Sequence, residues 1–239
     1  MAIVVQISDT HLLAAPHTPV DKDPDESLSA TIAAVSDIHA DLVVLTGDLA
    51  DDGSIAALSR VRDLAGQLAT PCVAVAGNHD DSAHVLAVFG STDTVDLGSW
   101  RVLAVESVVP GKDHGAVDVA ALIGRLDRLD ARPTLLAIHH PPISPSTHPM
   151  FQLIGAEQML AELRARPHVR AVVSGHLHQA FDRLDGDLHV CGAPSSYYAI
   201  EHDGNDFRFN SGGIVGAQVL TLGDDGSFSC ERVARSLGC

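Results

Sequence analysis

Five apolar runs in this chain each end in a short motif of acid, amide or imidazole groups. Residues 3–7 run into Asp9-Thr10-His11, 42–46 into Gly47-Asp48-Leu49-Ala50-Asp51, and 72–76 into Gly77-Asn78-His79-Asp80. Residues 135–138 lead to His139-His140-Pro141, and 170–174 to Gly175-His176-Leu177-His178. Short apolar runs bounded by turn residues read as buried strands. Helical patterns separate the first three: Leu28, Ile32, Val35 and Ile38 within 26–40, Ile55, Leu58, Val61 and Leu64 within 54–69, and a shorter one at 82–89. That β-α-β-α-β order predicts parallel strands joined by right-handed crossovers. Open α/β sheets gather their strand ends at one crevice, so the five motifs are expected to form one site.

The middle of the chain predicts a strand at 101–107, a helix at 117–129, a strand at 134–139, a proline-rich loop at 141–149 and a helix at 156–165. After His178 the runs shorten to 181–184, 188–191, 215–222 and 228–233. Asp185-Gly186 and Asp225-Gly226 are hairpin signals there, and they predict a second sheet that is mostly antiparallel. The expected architecture is α/β, a four-layer αββα sandwich of two mixed sheets flanked by helices, with residues 1–239 as a single domain. Stretches 14–25 and 201–213 show no clear periodicity and read as loops bordering the site.

Apolar residues make up 46% of the chain and charged ones 19%, which suits a folded protein with a real core. The formal charge of −16 argues against a nucleic-acid polymer as partner, because that grip needs basic surface. No run approaches the ~20 consecutive apolar residues of a membrane-spanning helix, and the N-terminal residues do not resemble a secretory signal. The four cysteines, Cys72, Cys191, Cys230 and Cys239, lie far apart with no CxxC. A reduced cytoplasm fits that pattern, with Cys72 as a small core residue and Cys239 frayed at the terminus.

The strand-end donors comprise two carboxylates (Asp9, Asp48), one amide oxygen (Asn78) and the imidazoles of His11, His139, His176 and His178. Mixed oxygen and nitrogen donors suit Mn, Fe, Zn or Co better than Ca. Seven are too many for one ion, so the set reads as a bimetallic centre bridged by a carboxylate. Strand alternation points His176 and His178 to the same side.

In order and spacing, these blocks resemble the calcineurin-like metallophosphoesterase superfamily over nearly all of the chain. Ser8-Asp9-Thr10-His11-Leu12, Ala137-Ile138-His139-His140-Pro141-Pro142 and Gly192-Ala193-Pro194-Ser195-Ser196 resemble most the bacterial class III cyclic-nucleotide phosphodiesterases and the related glycerophosphodiesterases. The resemblance implies one ion held by Asp9, His11, Asp48 and His178, and another by Asp48, Asn78, His139 and His176. It selects His139 over His140 as ligand and gives Asp51 and Asp80 supporting positions. It also implies that a hydroxide between the ions attacks phosphorus in line while His79 assists the leaving oxygen. The expected substrate is a small phosphodiester: cyclic nucleotides first, glycerophosphodiesters second. Other readings are a phosphomonoesterase or nucleotidase, and a non-catalytic scaffold that binds a partner protein.

Only 35 residues separate His140 from His176, leaving little room for a cap, so a relatively open site is expected. His148, Tyr197 and Tyr198 are candidates to touch substrate, and Arg208 to touch phosphate, each against a plain structural role. His17, His39, His84, His114, His168, His189 and His202 read as surface or structural. A homodimer through an edge of the second sheet is compatible with the sequence, which does not demand it.

Overall fold

The structure, a computed structural model, describes residues 1–14, 22–91, 93–210 and 214–236. Its first part alternates β1 (Ala2–Ile7), α1 (Pro24–Val35), β2 (Leu42–Thr46), α2 (Ile55–Ala65), β3 (Cys72–Val75) and α3 (Ser82–Phe89). Next come β4 (Thr94–Leu97), β5 (Trp100–Val105), β6 (Gly115–Ala116), α4 (Val119–Leu126), β7 (Thr134–Ile138), β8 (Leu153–Ile154), α5 (Ala156–Arg164) and β9 (Val169–Ser174). The last part is all strand: β10 (Phe181–Asp185), β11 (Leu188–Gly192), β12 (Ala199–Asp203), β13 (Asp206–Asn210), β14 (Ile214–Leu222) and β15 (Phe228–Ser236).

Two mixed sheets form, ordered β15-β14-β1-β2-β3 and β10-β11-β9-β7-β5-β4, and two-stranded pairs β12-β13 and β6-β8 stand beside them. β1, β2 and β3 are parallel, as the alternation with helices predicts. The second sheet departs from expectation. Its four inner strands, β11, β9, β7 and β5, are parallel, and only the edges are antiparallel. Both Asp-Gly turns do close hairpins, but β10–β11 extends the second sheet while β14–β15 returns to pair with β1. A turn signal specifies local pairing and says nothing about which sheet the hairpin joins.

Strand alternation explains the layers. On β2, Val43 and Leu45 pack with Leu28, Ile32, Leu58 and Val61 of α1 and α2, while Leu42 and Val44 face Trp100, Leu135, Ala137 and Val173 across the sandwich. A third core joins Leu103, Leu136, Ile138 and Val172 to Leu122 and Leu126 of α4 and Met159 and Leu163 of α5. Strands clad on both faces must be apolar at nearly every position, which is why they read as continuous runs. Side chains cap the first two helices: Asp23 precedes Pro24 and accepts from Asp25 N, and Ser54 accepts from Ala57 N. Spacing overshoots the ends of α1 and α2. Ile38 still packs on the core beyond α1, and the chain after α2 tightens into a 3₁₀ turn at Gly66–Leu68.

Residues 15–21, which include His17, and 211–213 lie outside the described residues, as does Cys239. The rest of the 201–213 stretch is not a loop but most of the β12–β13 hairpin around Gly204. Among the described residues no helix is long and apolar enough to cross a membrane. The chain leaves β1, β2 and β3 of one sheet and β7 and β9 of the other at the same end of the sandwich, where the polar motifs meet.

Candidate metal centre

Asp9, His11, Asp48 and His178 are all buried and offer donor atoms within 4.8 Å of one another. His178 Nε2 lies 3.6 Å from Asp9 Oδ1 and 3.0 Å from His11 Nε2. Asp48 Oδ2 stands between this group and a second one, 3.9 Å from His11 Nε2 and 3.4 Å from His139 Nε2. Asn78 Oδ1 is 3.2 Å from His139 Nε2, and the His139 and His176 rings lie 5.0 Å apart between centroids. All seven strand-end donors thus converge.

Each imidazole is held from behind. His178 Nδ1 bonds Tyr198 O at 2.9 Å, His139 Nδ1 bonds Thr46 O at 2.7 Å, His176 Nε2 bonds Met150 O at 2.8 Å, and His11 Nδ1 bonds Asp51 Oδ1 at 2.9 Å. Carbonyls and carboxylates only accept, so those nitrogens carry the protons and the opposite ring nitrogens turn lone pairs inward. Two such lone pairs face each other across the 3.0 Å between His11 and His178, an arrangement that a cation relieves. Asp9 Oδ2 is buried without a hydrogen-bond partner. The donor set is therefore fitted to cations. Fixing a ligand imidazole through its far nitrogen is the usual support of a metal site.

His140 differs. It groups with His139 and His176 within 4.8 Å, but its Nδ1 meets Ser107 Oγ at 2.9 Å and its Nε2 bonds Asp113 O at 3.0 Å, so both ring nitrogens already have partners. Burial, reinforced by His139 and His176, holds its pKa far below the ordinary histidine value.

The backbone at the strand ends is unusual. Among the described residues, the non-glycine positions with positive φ are Asp9 (53°), His11 (47°), Asp48 (50°), His176 (69°), His178 (50°) and Ala69 (51°). All but Ala69 belong to the cluster. Left-handed backbone costs non-glycine residues about 1–3 kcal/mol each and persists where surrounding contacts over-determine it. Here it folds each side chain back over its strand end. Glycines permit the loops to nest: a Cβ on Gly77 would strike Asp48, and one on Gly175 would strike Ser8. Asp80 ties the second and third loops together, accepting from Ala50 N at 2.8 Å and Gly77 N at 2.9 Å. Burial, with Asp48 nearby, raises its pKa to about 6.

The model of the calcineurin-like phosphoesterase family matches residues 3–180. The chain belongs to that family. It is 33% identical over 237 residues to a 3',5'-cyclic adenosine monophosphate phosphodiesterase of Pseudomonas aeruginosa, covering 94% of this chain and 86% of the relative. It is 31% identical over 252 residues to a cAMP/cGMP dual specificity phosphodiesterase of Mycobacterium tuberculosis, covering 97% and 75%. A dimetal phosphatase from Danio rerio superposes with a TM-score of 0.70 at 12% identity, covering 92% of each chain, and supports the fold. Family membership and the buried donor clusters together imply divalent metal ions here.

In this calcineurin-like phosphoesterase five of the donors, His11, Asp48, Asn78, His176 and His178, form one wall of a cavity of about 490 Å³. Met150, Phe151, Tyr198, Ile200, Phe207 and Phe209 form the other. Phe207 and Phe209 alternate on β13 and share its inner face; Phe207 meets Phe151 at 5.2 Å and Phe209 meets Tyr198 at 5.5 Å between centroids. Alternation sends Arg208 the other way. Its guanidinium is exposed, pairs with Glu201 at 3.1 Å and does not line the cavity, in keeping with the structural reading over a phosphate contact. His148 packs its ring on Phe207 at 5.3 Å and accepts from Met150 N, behind the apolar wall. Tyr197 is buried, with its ring 6.5 Å from His11. His84 and His202 bond the carbonyls of Gly53 and Leu177, as structural histidines do.

His79 stands at the cavity with Nδ1 3.1 Å from Asp51 Oδ1 and its backbone N–H donating to Asp48 Oδ1 at 2.9 Å. Burial works to lower its pKa, but the hydrogen bond to Asp51 and the charges of Asp48 and Asp51 win and push it up to about 10. Sequence reasoning missed several supports. Ser195 Oγ donates to Asp9 O at 2.8 Å, Ser107 holds His140, and the Met150 carbonyl orients His176. Ser195 lies within a motif that the resemblance flagged without a role, whereas a backbone carbonyl leaves no mark on a sequence.

Proposed function

We propose that this protein hydrolyses small phosphodiesters with a pair of metal ions, and that 3',5'-cyclic nucleotides are its main substrates. Asp9, His11, Asp48 and His178 would hold one ion and Asp48, Asn78, His139 and His176 the other, with Asp48 shared. Its placement 3.4 Å from His139 and 3.9 Å from His11 supports that sharing. The donor set accepts Mn, Fe, Zn or Co alike, and availability selects among them. When bound, such ions polarise phosphoryl oxygens and make water a nucleophile at neutral pH.

The chain supplies the rest. Asp51 holds His79 Nδ1, which leaves Nε2 to give a proton to the departing oxygen. The apolar wall takes the base and keeps water from that side. Residues from His11 to Phe209 line one cavity, which supports reading 1–239 as a single domain. Free thiols at Cys72, Cys191 and Cys230 favour a reducing cytoplasm.

The observation that carries this reading is the two-sided cavity: cation donors facing aromatic rings, at about 490 Å³, within the range of small-ligand pockets. A phosphate ester joined to a planar base matches both walls; glycerophosphodiesters and phosphomonoesters without a base use only one. The test is a substrate panel on metal-reconstituted protein, comparing cyclic nucleotides, glycerophosphodiesters, dinucleotides and phosphomonoesters by kcat/KM. Cyclic nucleotides are expected to lead. A preference for phosphomonoesters would overturn the proposal, and tight metal binding without turnover of any diester would point to a scaffold.

A further inference from the structure

The space between the two sheets holds a pair of sulfurs. On β11, Cys191 is fully buried in the core that also contains Trp100, Leu135, Ala171 and Leu220. On β15, Cys230 stands opposite Leu220 in the β14–β15 register. It therefore shares that residue's face and packs, partly buried, against the same core. The two Sγ atoms lie 3.5 Å apart. Asp182, opposite Cys191 on β10, brings Oδ1 to 3.4 Å from Cys191 Sγ. Neither cysteine lines the cavity that the metal donors face.

The two thiols are unequal. Arg232 lies two residues beyond Cys230 on β15, hence on the same face, and donates to the Ala180 carbonyl at 2.8 Å. The hydrogen bond between the thiols holds Cys230 below its usual pKa, with Arg232 adding to it while burial opposes. That same bond, together with burial, pushes Cys191 up. Thiolate is the form that attacks oxidants, and a half-buried thiolate beside a protonated partner is the arrangement of an oxidisable pair. A disulfide needs its sulfurs ~2.05 Å apart, so they must close by about 1.5 Å. β15 can yield that distance, because it is an outer strand of its sheet.

We infer that Cys191 and Cys230 form an oxidative modification site, where a hydroperoxide makes a disulfide that joins the two sheets through the interior. The Cys230 thiolate attacks a peroxide oxygen, the O–O bond breaks, and the departing hydroxide takes up the proton that Cys230 had released. Cys191 sulfur then displaces hydroxide from the Cys230 sulfenic acid, and the Cys191 proton passes by way of Asp182 to that hydroxide. One hydrogen peroxide is reduced, two thiols are oxidised and two waters form. A dithiol reductant reverses the bond by exchange. The link bears on the catalytic loops without touching a metal donor. β11 runs on to Ser195, whose hydroxyl holds the Asp9 carbonyl, and β15 belongs to the sheet whose β1 leads to Asp9. Closing a loop between residues 39 apart also constrains the unfolded chain, so oxidation stabilises the fold.

The test exposes reduced, manganese-reconstituted protein to stoichiometric hydrogen peroxide and reads intact mass, peptide map and melting temperature. The monomer is expected to lose two hydrogens, with a disulfide between the peptides that hold Cys191 and Cys230. Its melting temperature is expected to rise by about 5–10 °C, and dithiothreitol to reverse both changes. Cys230→Ser, at a partly exposed position, forms no intramolecular disulfide and keeps its unoxidised melting temperature under peroxide. Cys72→Ser, in a different core, behaves as wild type. If both thiols stay free to alkylate, or Cys230 gains oxygen in place of a bond, the pair is wrong. A disulfide from either cysteine to Cys72 or Cys239 overturns it as well. A Cys191–Cys230 bond that leaves the melting temperature unchanged overturns its role as a link between the sheets.

Discussion

The two walls of the cavity are built on opposite principles. The donor wall is made of strand ends locked into left-handed backbone, backed by carbonyls and by the Asp80 and Ser195 hydrogen bonds. The apolar wall relies largely on the β12–β13 hairpin, which belongs to neither large sheet, and Phe209 on it remains 62% exposed. Reaction chemistry demands donors placed to fractions of an ångström, whereas stacking a planar base tolerates slack. Rigidity is concentrated where positions matter, and adaptability where only a surface is needed.

Breaking the donor wall has the largest effect. Asp48→Asn weakens the ligand placed between both donor groups, so diester hydrolysis falls to background and one or both ions are lost in metal analysis. Full activity would contradict the shared role. His79→Ala leaves both ions in place and lowers kcat by ~10²–10⁴, most for alcohols that leave poorly. A leaving-group series checks this, and a uniform slowing would remove the proton-donor assignment. Asn78→Ala weakens only the ion nearer His139, by ~10–100-fold in affinity, and metal titration should resolve two unequal sites; equal weakening of both speaks against the division of ligands.

The apolar wall gives the smaller and more selective effects. Phe207→Ala should raise KM for cyclic nucleotides by about 5–150-fold, as loss of base stacking worth about 1–3 kcal/mol requires, and leave an aliphatic glycerophosphodiester nearly unchanged. Similar losses for both substrates would mean that the hairpin supports the centre instead of the base. Arg208→Ala, which breaks only an exposed pair with Glu201, should change neither kcat nor KM. A marked fall in either would restore the phosphate role that its position argues against.

What the sequence disclosed follows the same division. The donor residues stand at the ends of apolar runs, so their gathering at one crevice and the parallel order of β1, β2 and β3 are consequences of alternation and crossover handedness. The left-handed φ values at Asp9, His11 and His176 were not legible, because Asp and His adopt that conformation more than most residues but only in a small minority of cases. The β12–β13 hairpin was hidden because acidic and charged residues interleave Ile200, Phe207 and Phe209, masking a period of two around Asp203-Gly204. The destinations of β10–β11 and β14–β15 depend on which exposed edge each can cover, which no local pattern records. The approach of Cys191 to Cys230 arises from the docking of two sheets, so their 39-residue separation gave no hint of it.

The centre draws Asp9, His11, Asp48 and Asn78 from one sheet's loops and His139, His176 and His178 from the other's. Turnover is therefore a gauge of how the halves of the sandwich sit on each other: slippage of one layer by a fraction of an ångström would be felt as slower chemistry before any spectroscopic sign of unfolding. Nor could either layer, expressed as a lone fragment, inherit a weakened version of the reaction.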